Sequence, residues 1–252
     1  MLYKLGAVPY LNALPLIHYL KDRPRLEPPA PLARLLKIGE LDIATAPIVT
    51  LFENPQYSLV PGVCIGSNGP VGSVKVFFLE PGVDLTNVRT IYLDMESKTS
   101  ALLLKVLLKF KYGRNLEEIT FFHPIPPRTC QAKLLIGDKA MKELSTTPPA
   151  DLGYEWTSWT GLPFIYAAWI CRHAEVTGRA VQDLQDARDK GMANIASVIP
   201  EKSVFSFDAI KTYLENLVYT LGPKEMEGLN LFRDYVSRAE FLEEPKFQYA
   251  VS

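Results

Sequence analysis

Residues 31–46, PLARLLKIGELDIATA, decide the fold class. Pro31-Leu32-Ala33-Arg34-Leu35-Leu36 reads as a helix with proline near its first turn. Gly39-Glu40-Leu41-Asp42 closes it, and Asp42-Ile43-Ala44-Thr45-Ala46 begins a strand. Upstream, Tyr3 to Val8 reads as a strand that stops at Pro9, followed by a short helix from Ala13 to Leu20. The unit is β-α-(β)-α-β, which predicts an α/β fold with mostly parallel strands.

The same alternation continues downstream. Residues 61–74, PGVCIGSNGPVGSV, carry no charge and lead into a strand at Val74–Leu79. Thr90–Leu93, Ile119–Phe122 and Leu134–Ile136 read as short strands, and Ser97 opens an apolar helix to about Phe110 that Gly113 ends. Phe164–Arg172 is a longer strand. Beyond it the composition shifts: residues 201–250 carry 15 charges where residues 41–80 carry 4. Phe207, Ile210, Tyr213, Leu214, Leu217 and Val218 follow a helical period, and another helix starts at Pro223. Residues 179–198 form a third candidate helix. The simplest assembly is two lobes, with residues 1–76 and 173–252 in the first and 77–172 in the second. Segments near Val74–Leu79 and Phe164–Arg172 are expected to cross between them. Ligands of such folds bind at strand ends in the crevice.

Composition excludes several classes. The chain has 252 residues with 27 Lys+Arg against 28 Asp+Glu, so it lacks the basic excess of a general nucleic-acid binder. No apolar run is long enough to span a membrane. The first residues lack a basic n-region, and Pro9 and Pro15 interrupt them, so they read as mature structure rather than a leader. Cys64, Cys130 and Cys171 are widely spaced and odd in number, which predicts reduced, mostly buried thiols in the cytoplasm. The three histidines, His18, His123 and His173, have no metal-ligand spacing. The 20 prolines, about 8% against a typical ~5%, are the compositional oddity.

Five segments place small polar residues at strand or helix ends. In Val8-Pro9-Tyr10-Leu11-Asn12, Asn12 either caps the helix at Ala13 or offers a neutral amide to a ligand. Gly66-Ser67-Asn68-Gly69-Pro70-Val71-Gly72-Ser73 is either a turn or a close approach of backbone to ligand, with Ser67 and Ser73 as hydroxyl donors. It lacks the Gly-Lys-Ser/Thr ending of a nucleotide loop. Ser97-Lys98-Thr99-Ser100 sets three hydroxyls at a helix N-terminus, which suits a carboxylate or phosphate as well as simple capping. Asp138 follows Leu135-Ile136-Gly137 and either touches ligand or holds a loop; Thr160-Gly161 lies shortly before the Phe164 strand. Trp156 and Trp159 read as packing or as ligand stacking.

Taken in order, Val8-Pro9-Tyr10-Leu11-Asn12, Gly69-Pro70-Val71-x-Ser73-Val74, Ser97-x-Thr99-Ser100, Leu134-Leu135-Ile136-Gly137-Asp138 and Asp151-Leu152-Gly153…Trp156…Thr160-Gly161-Leu162-Pro163-Phe164…Ala167-x-Trp169 resemble the chorismate dehydratase family. The chain departs from the family at Gln131-Ala132-Lys133, where members often carry an acidic residue. The resemblance implies an α/β, two-lobed periplasmic-binding-protein-like (type II) fold with a discontinuous first lobe, used as a cytoplasmic hydro-lyase. It implies conversion of chorismate to 3-[(1-carboxyvinyl)oxy]benzoate and water in menaquinone biosynthesis by the futalosine route, with no metal and no organic cofactor. The implied partner is the small-molecule substrate alone, with neither nucleic acid nor membrane. The family's motif Asn and Ser correspond to Asn12 and Ser73 as catalytic residues. Tyr10, Ser67, Asn68, Ser97, Thr99, Ser100, Asp138, Thr160 and Gly161 are the expected substrate-binding set. Alternative readings are a 1,4-dihydroxy-6-naphthoate synthase of the same pathway and a non-catalytic solute-binding protein for a small anion.

Overall fold

A computed structural model describes residues 3–94, 98–125, 127–172 and 178–242. By its internal contacts the chain divides into two compact units, Met1–Ser67 with Ile165–Met226 and Asn68–Phe164 with Glu227–Ser252.

The first unit opens with β1 (Leu5–Ala7), a 3-10 turn (Leu11–Ala13) and α1 (Leu14–Ile17). Then come β2 (Arg25–Leu26), α2 (Pro29–Lys37), β3 (Ile43–Pro47) and α3 (Val49–Glu53). β1 lies between β2 and β3 and runs parallel to both. α2 buries Leu32, Leu35 and Leu36 on one face, as helical spacing dictates. With Val8, Ala13, Leu41, Ala44, Ala46 and Ile170 these leucines form one core, on which Tyr10, Leu51 and Tyr57 pack. The uncharged stretch, expected only to lead into a strand, itself begins inside a ten-residue strand, β4 (Ser58–Ser67). Proline and glycine at 61 and 62 mask its strand character in the sequence. Its last five residues, Val63–Ser67, are all buried.

The second unit contains β5 (Val74–Phe78), β6 (Thr90–Leu93), and α4 (Lys98–Val106), which continues as a π turn at Leu107–Lys111. β7 (Thr120–Phe122), β8 (Ala132–Ile136), α5 (Gly137–Lys142), β9 (Ala150–Asp151) and α6 (Leu152–Thr160) follow. The sheet order is β7-β6-β8-β5-β9. β6 is parallel to β7 and β8, whereas β5 is antiparallel to β8 and β9. The expected mostly parallel arrangement is therefore a mixed one. Among the described residues β5 pairs only within this sheet, and the boundary between the units falls earlier than expected, after Ser67.

The chain returns to the first unit with β10 (Phe164–Cys171), α7 (Gly178–Ala193), α8 (Ile195–Val198), α9 (Phe207–Glu215) and β11 (Leu217–Leu221). The first sheet has the order β11-β4-β10-β3-β1-β2, with β10 antiparallel to β3 and β11 antiparallel to β4. Leu217 and Val218, which extend the helical period of α9, belong instead to β11. There Leu217, Tyr219 and Leu221 are buried while Val218 and Thr220 are less so, the period of a strand. At Gly191 of α7 a Cβ would run into the carbonyl oxygen of Pro15, so glycine is what lets α7 approach α1 this closely.

The last helix, α10 (Pro223–Arg238), was expected with the first lobe, but from Glu227 onward it belongs to the second unit. The reason is aromatic packing. Phe232 and Tyr235 meet Trp156 edge to face at 6.0 and 6.3 Å, and Tyr235 stacks on Trp159 at 5.0 Å. Gly228 makes room for the carbonyl of Pro163. Trp156 is fully buried and donates Nε1–H to Pro163 O at 3.2 Å, which settles it as packing.

Candidate functional site

In the first unit, Asn12 sits in the 3-10 turn that follows β1. The turn and α1 are preceded by Tyr10 and Ala13, and neither makes a side-chain cap. Asn12 is not the cap either: among the described residues its Oδ1 is buried with no hydrogen-bond partner. The segment is fixed from behind, where Val8 N–H donates to Thr45 Oγ1 at 3.0 Å. Tyr10 is half-buried against the core. Ser67 ends β4 opposite Leu217 of β11, is 0% exposed, and its Oγ has no partner among the described residues. A buried hydroxyl or amide without a partner costs about 1–3 kcal/mol, so each such atom calls for an explanation.

Among the described residues, Trp169 Nε1, Arg172 Nε and Tyr219 Oη of this unit share that state. Burial, helped by nearby Tyr213 and Cys64, pushes the Tyr219 hydroxyl well above its ordinary value, so it stays protonated and a donor. Its place in a strand hidden by helical spacing kept Tyr219 out of the sequence-level set. Cys64 and Cys171 are buried and Cys130 is partly so, all three as free thiols.

In the second unit, the Gly69–Ser73 loop is held by two side chains of the α6 region. Gly69 N–H donates to Thr157 Oγ1 at 3.0 Å. Val71 and Gly72 N–H donate to the two carboxylate oxygens of Asp151 at 2.9 and 2.7 Å. Asp151 also caps α6, accepting from Gly153 and Tyr154 N–H at 3.0 and 3.1 Å. Gly72 has φ 75°, a conformation that glycine adopts at little cost. The next residue, Ser73, is buried, and its carbonyl accepts Gly137 N–H at 2.7 Å. Asn68 is exposed.

Thr99 and Ser100 lie in the first turn of α4, both at most 5% exposed. Thr99 Oγ1 is buried and has no partner among the described residues. The first N–H groups of a helix have no partner within it, and its N-terminal end carries a partial positive charge. Asp94, at the end of β6, is buried, and Lys139 of α5 pairs with it at 3.1 Å. Asp138, in the first turn of α5, is exposed. Thr160 Oγ1 donates to Trp156 O at 2.9 Å and accepts Leu162 N–H at 3.2 Å, and Gly161 closes α6 with φ 72°. Both therefore complete a helix end. His123 Nδ1 lies 3.5 Å from Leu93 O. Ser97 and His173 lie outside the described residues.

Asn12, Ser67 and Thr99 are thus the sequence-selected residues with buried, unpartnered oxygens. Sequence reading missed the organising role of Asp151, whose loop partners lie 80 and 79 residues away. Among the described residues no group of three His, Cys, Asp or Glu is placed to hold a metal ion, and no helix is long and apolar enough to cross a membrane.

Comparison with known proteins adds to this geometry. The chain is 30% identical to a chorismate dehydratase from Thermus thermophilus, over 92% of this chain and 94% of that one. Its fold is similar to that of a protein from Archaeoglobus fulgidus, with a TM-score of 0.70 at 13% identity, covering 95% and 98% of the two chains. It is similar as well to the periplasmic aliphatic sulphonate binding protein SsuA from Escherichia coli, with a TM-score of 0.63 at 12% identity, covering 96% and 94%. The fold is therefore periplasmic-binding-protein-like, as the motifs implied. A family described as menaquinone biosynthesis matches residues 3–238. The chain belongs to that menaquinone biosynthesis family.

Proposed function

We propose that this chain is a chorismate dehydratase, a hydro-lyase that converts chorismate to 3-[(1-carboxyvinyl)oxy]benzoate and water in the futalosine route. One observation carries the reading: the buried, unpartnered oxygens of Asn12, Ser67 and Thr99 fall in or beside the motifs that resemble that family. The relative from Thermus thermophilus supports the same substrate.

The chemistry asks little of the protein. One ring C–H and the ring C–OH bond break, and the electron pair completes an aromatic ring. The driving force is large, and the protein's task is to bind, orient and stabilise developing charge. The α4 N-terminus with Thr99 and Ser100 binds one carboxylate. Backbone N–H groups near Ser67–Asn68 bind the other, since Gly161 N–H is already given to Thr157 O. Asn12 and Ser73 hydrogen-bond the departing hydroxyl, and a substrate carboxylate accepts the ring proton and returns it to the departing oxygen, which leaves as water.

The test is an ultraviolet assay with chorismate, reading appearance of the aromatic product. Wild type is expected to turn over, and Asn12→Ala and Ser73→Ala to lose at least ~10-fold each. Near-wild-type rates in both variants overturn the residue roles. Chorismate bound without turnover points instead to a solute-binding protein. Turnover of cyclic dehypoxanthine futalosine in its place points to the naphthoate synthase. Loss of all turnover in His123→Ala, with binding and folding intact, replaces the substrate carboxylate by a protein base.

A further inference from the structure

We propose that Asp151 is the positioning residue of the reaction: its carboxylate, by accepting Val71 and Gly72 N–H, sets the backbone from which Ser73 projects. The inference rests on the dehydratase reading and on the role of Ser73 in it. Two features separate this role from ordinary helix capping. A cap needs one oxygen, and Oδ1 alone accepts the two α6 amides, Gly153 and Tyr154. Oδ2 is left for Gly72 at 2.7 Å, the amide immediately before Ser73. Asp151 is also held at the right height, because β9 pairs it with Lys75 of β5, the strand that Ser73 leads into.

Ser73 is therefore clamped from both sides. Its carbonyl is tied to Gly137 at the start of α5, and the amide before it is tied to Asp151. Thr157 Oγ1 holds the other end of the loop through Gly69. A displacement of about 1 Å at a reacting group costs up to ~100-fold in rate, so a group that fixes this loop acts on turnover without touching substrate.

Asp151→Asn separates the two roles. Asparagine is as good an N-cap as aspartate, so Oδ1 keeps α6. Its NH2 group then faces the Gly72 N–H, donor against donor, and that bond is lost. Asp151→Ser is the second variant; it keeps a capping oxygen but is too short for the loop. The expected result is a kcat at least ~10-fold lower with KM changed less than ~3-fold. Hydrogen exchange should quicken at Gly72 in both variants, and at Val71 in Asp151→Ser, while α6 stays protected. Asn115→Ala, which removes the cap on Glu117 N–H elsewhere in the unit, should leave kcat unchanged. Unchanged kcat in both Asp151 variants, with the loop amides freed, overturns the inference and leaves the dehydratase reading standing. Equal loosening of α6 and the loop, with kcat falling only as folded fraction falls, reduces Asp151 to a cap and also overturns it. Wild type inert toward chorismate overturns the functional reading itself, and the inference with it.

Discussion

Replacing Ser67 by alanine tests whether its hydroxyl serves ligand or fold. Ser67 is 0% exposed, ends β4, and its Oγ has no partner among the described residues. Holding an unpaired hydroxyl away from water costs the free protein about 1–3 kcal/mol. Removing one oxygen opens roughly 10 Å³, worth only about 0.2 kcal/mol at the usual cavity coefficient. Desolvation wins, and Ser67→Ala should stabilise the ligand-free protein by about 1 kcal/mol or more. For a chain of this size that raises the melting midpoint by about 2–4 °C. On the ligand side the sign reverses. A hydrogen bond to a carboxylate contributes about 1.5–3 kcal/mol, which is about 10–150-fold in affinity. Calorimetry without ligand and chorismate titration with the same two proteins give both numbers. A midpoint lowered by more than about 2 °C, with chorismate affinity unchanged, would make the hydroxyl a structural group and refute the reasoning.

Gly191→Ala should destabilise although alanine favours a helix by about 1 kcal/mol, because the new methyl would strike the backbone oxygen of Pro15. Overpacking of this kind costs about 1–3 kcal/mol, and the displaced segment follows Asn12, so turnover should fall along with the thermal midpoint; a higher midpoint would show that α7 and α1 yield freely. Trp156→Ala should cost about 3–5 kcal/mol and detach α10, read as loss of near-ultraviolet dichroism and early proteolysis beyond Pro223; survival of both signals would remove the aromatic cluster as the anchor. Burial pushes the Cys64 thiol far up, with Glu225 adding to it, so the reactive thiolate is suppressed at neutral pH. Mass-spectrometric mapping of native protein treated with iodoacetamide should find Cys130 modified before Cys64 and Cys171, and labelling of Cys64 at an equal rate would contradict its burial.

Particular elements show why some of this was legible in the sequence and some was not. α2, β3 and β6 are local: a leucine face, a closing glycine and a short β-branched run lie within a few residues of each other. β4 was hidden because Pro61 and Gly62 interrupt its strand pattern, yet its ladder with β11 takes in Gly62 opposite Leu221. β11 was hidden because Tyr213, Leu214, Leu217 and Val218 satisfy a helical period as well as a strand end. Only the ladder that sets Leu217 opposite Ser67 decides between them. α10 was assigned by its position in the chain, whereas Trp156 and Trp159 decide where it packs.

The site divides along the same line. By itself the sequence determined which small polar residues stand at strand and helix ends: Asn12, Ser67, Ser73, Thr99 and Ser100. Those positions follow from short-range periodicity and from chemistry carried by residue type. Tertiary structure decided which of them are buried without partners, which complete a helix end as Thr160 and Gly161 do, and which distant carboxylate holds the Ser73 loop. It also gave two of the many prolines a part, since the carbonyls of Pro15 and Pro163 are where Gly191 and Gly228 make room. The physical reason is range. Backbone preference acts over a few residues, but a hydrogen-bond partner or a packed ring is chosen by distance in space, and Asp151 meets Gly72 across 79 residues of chain.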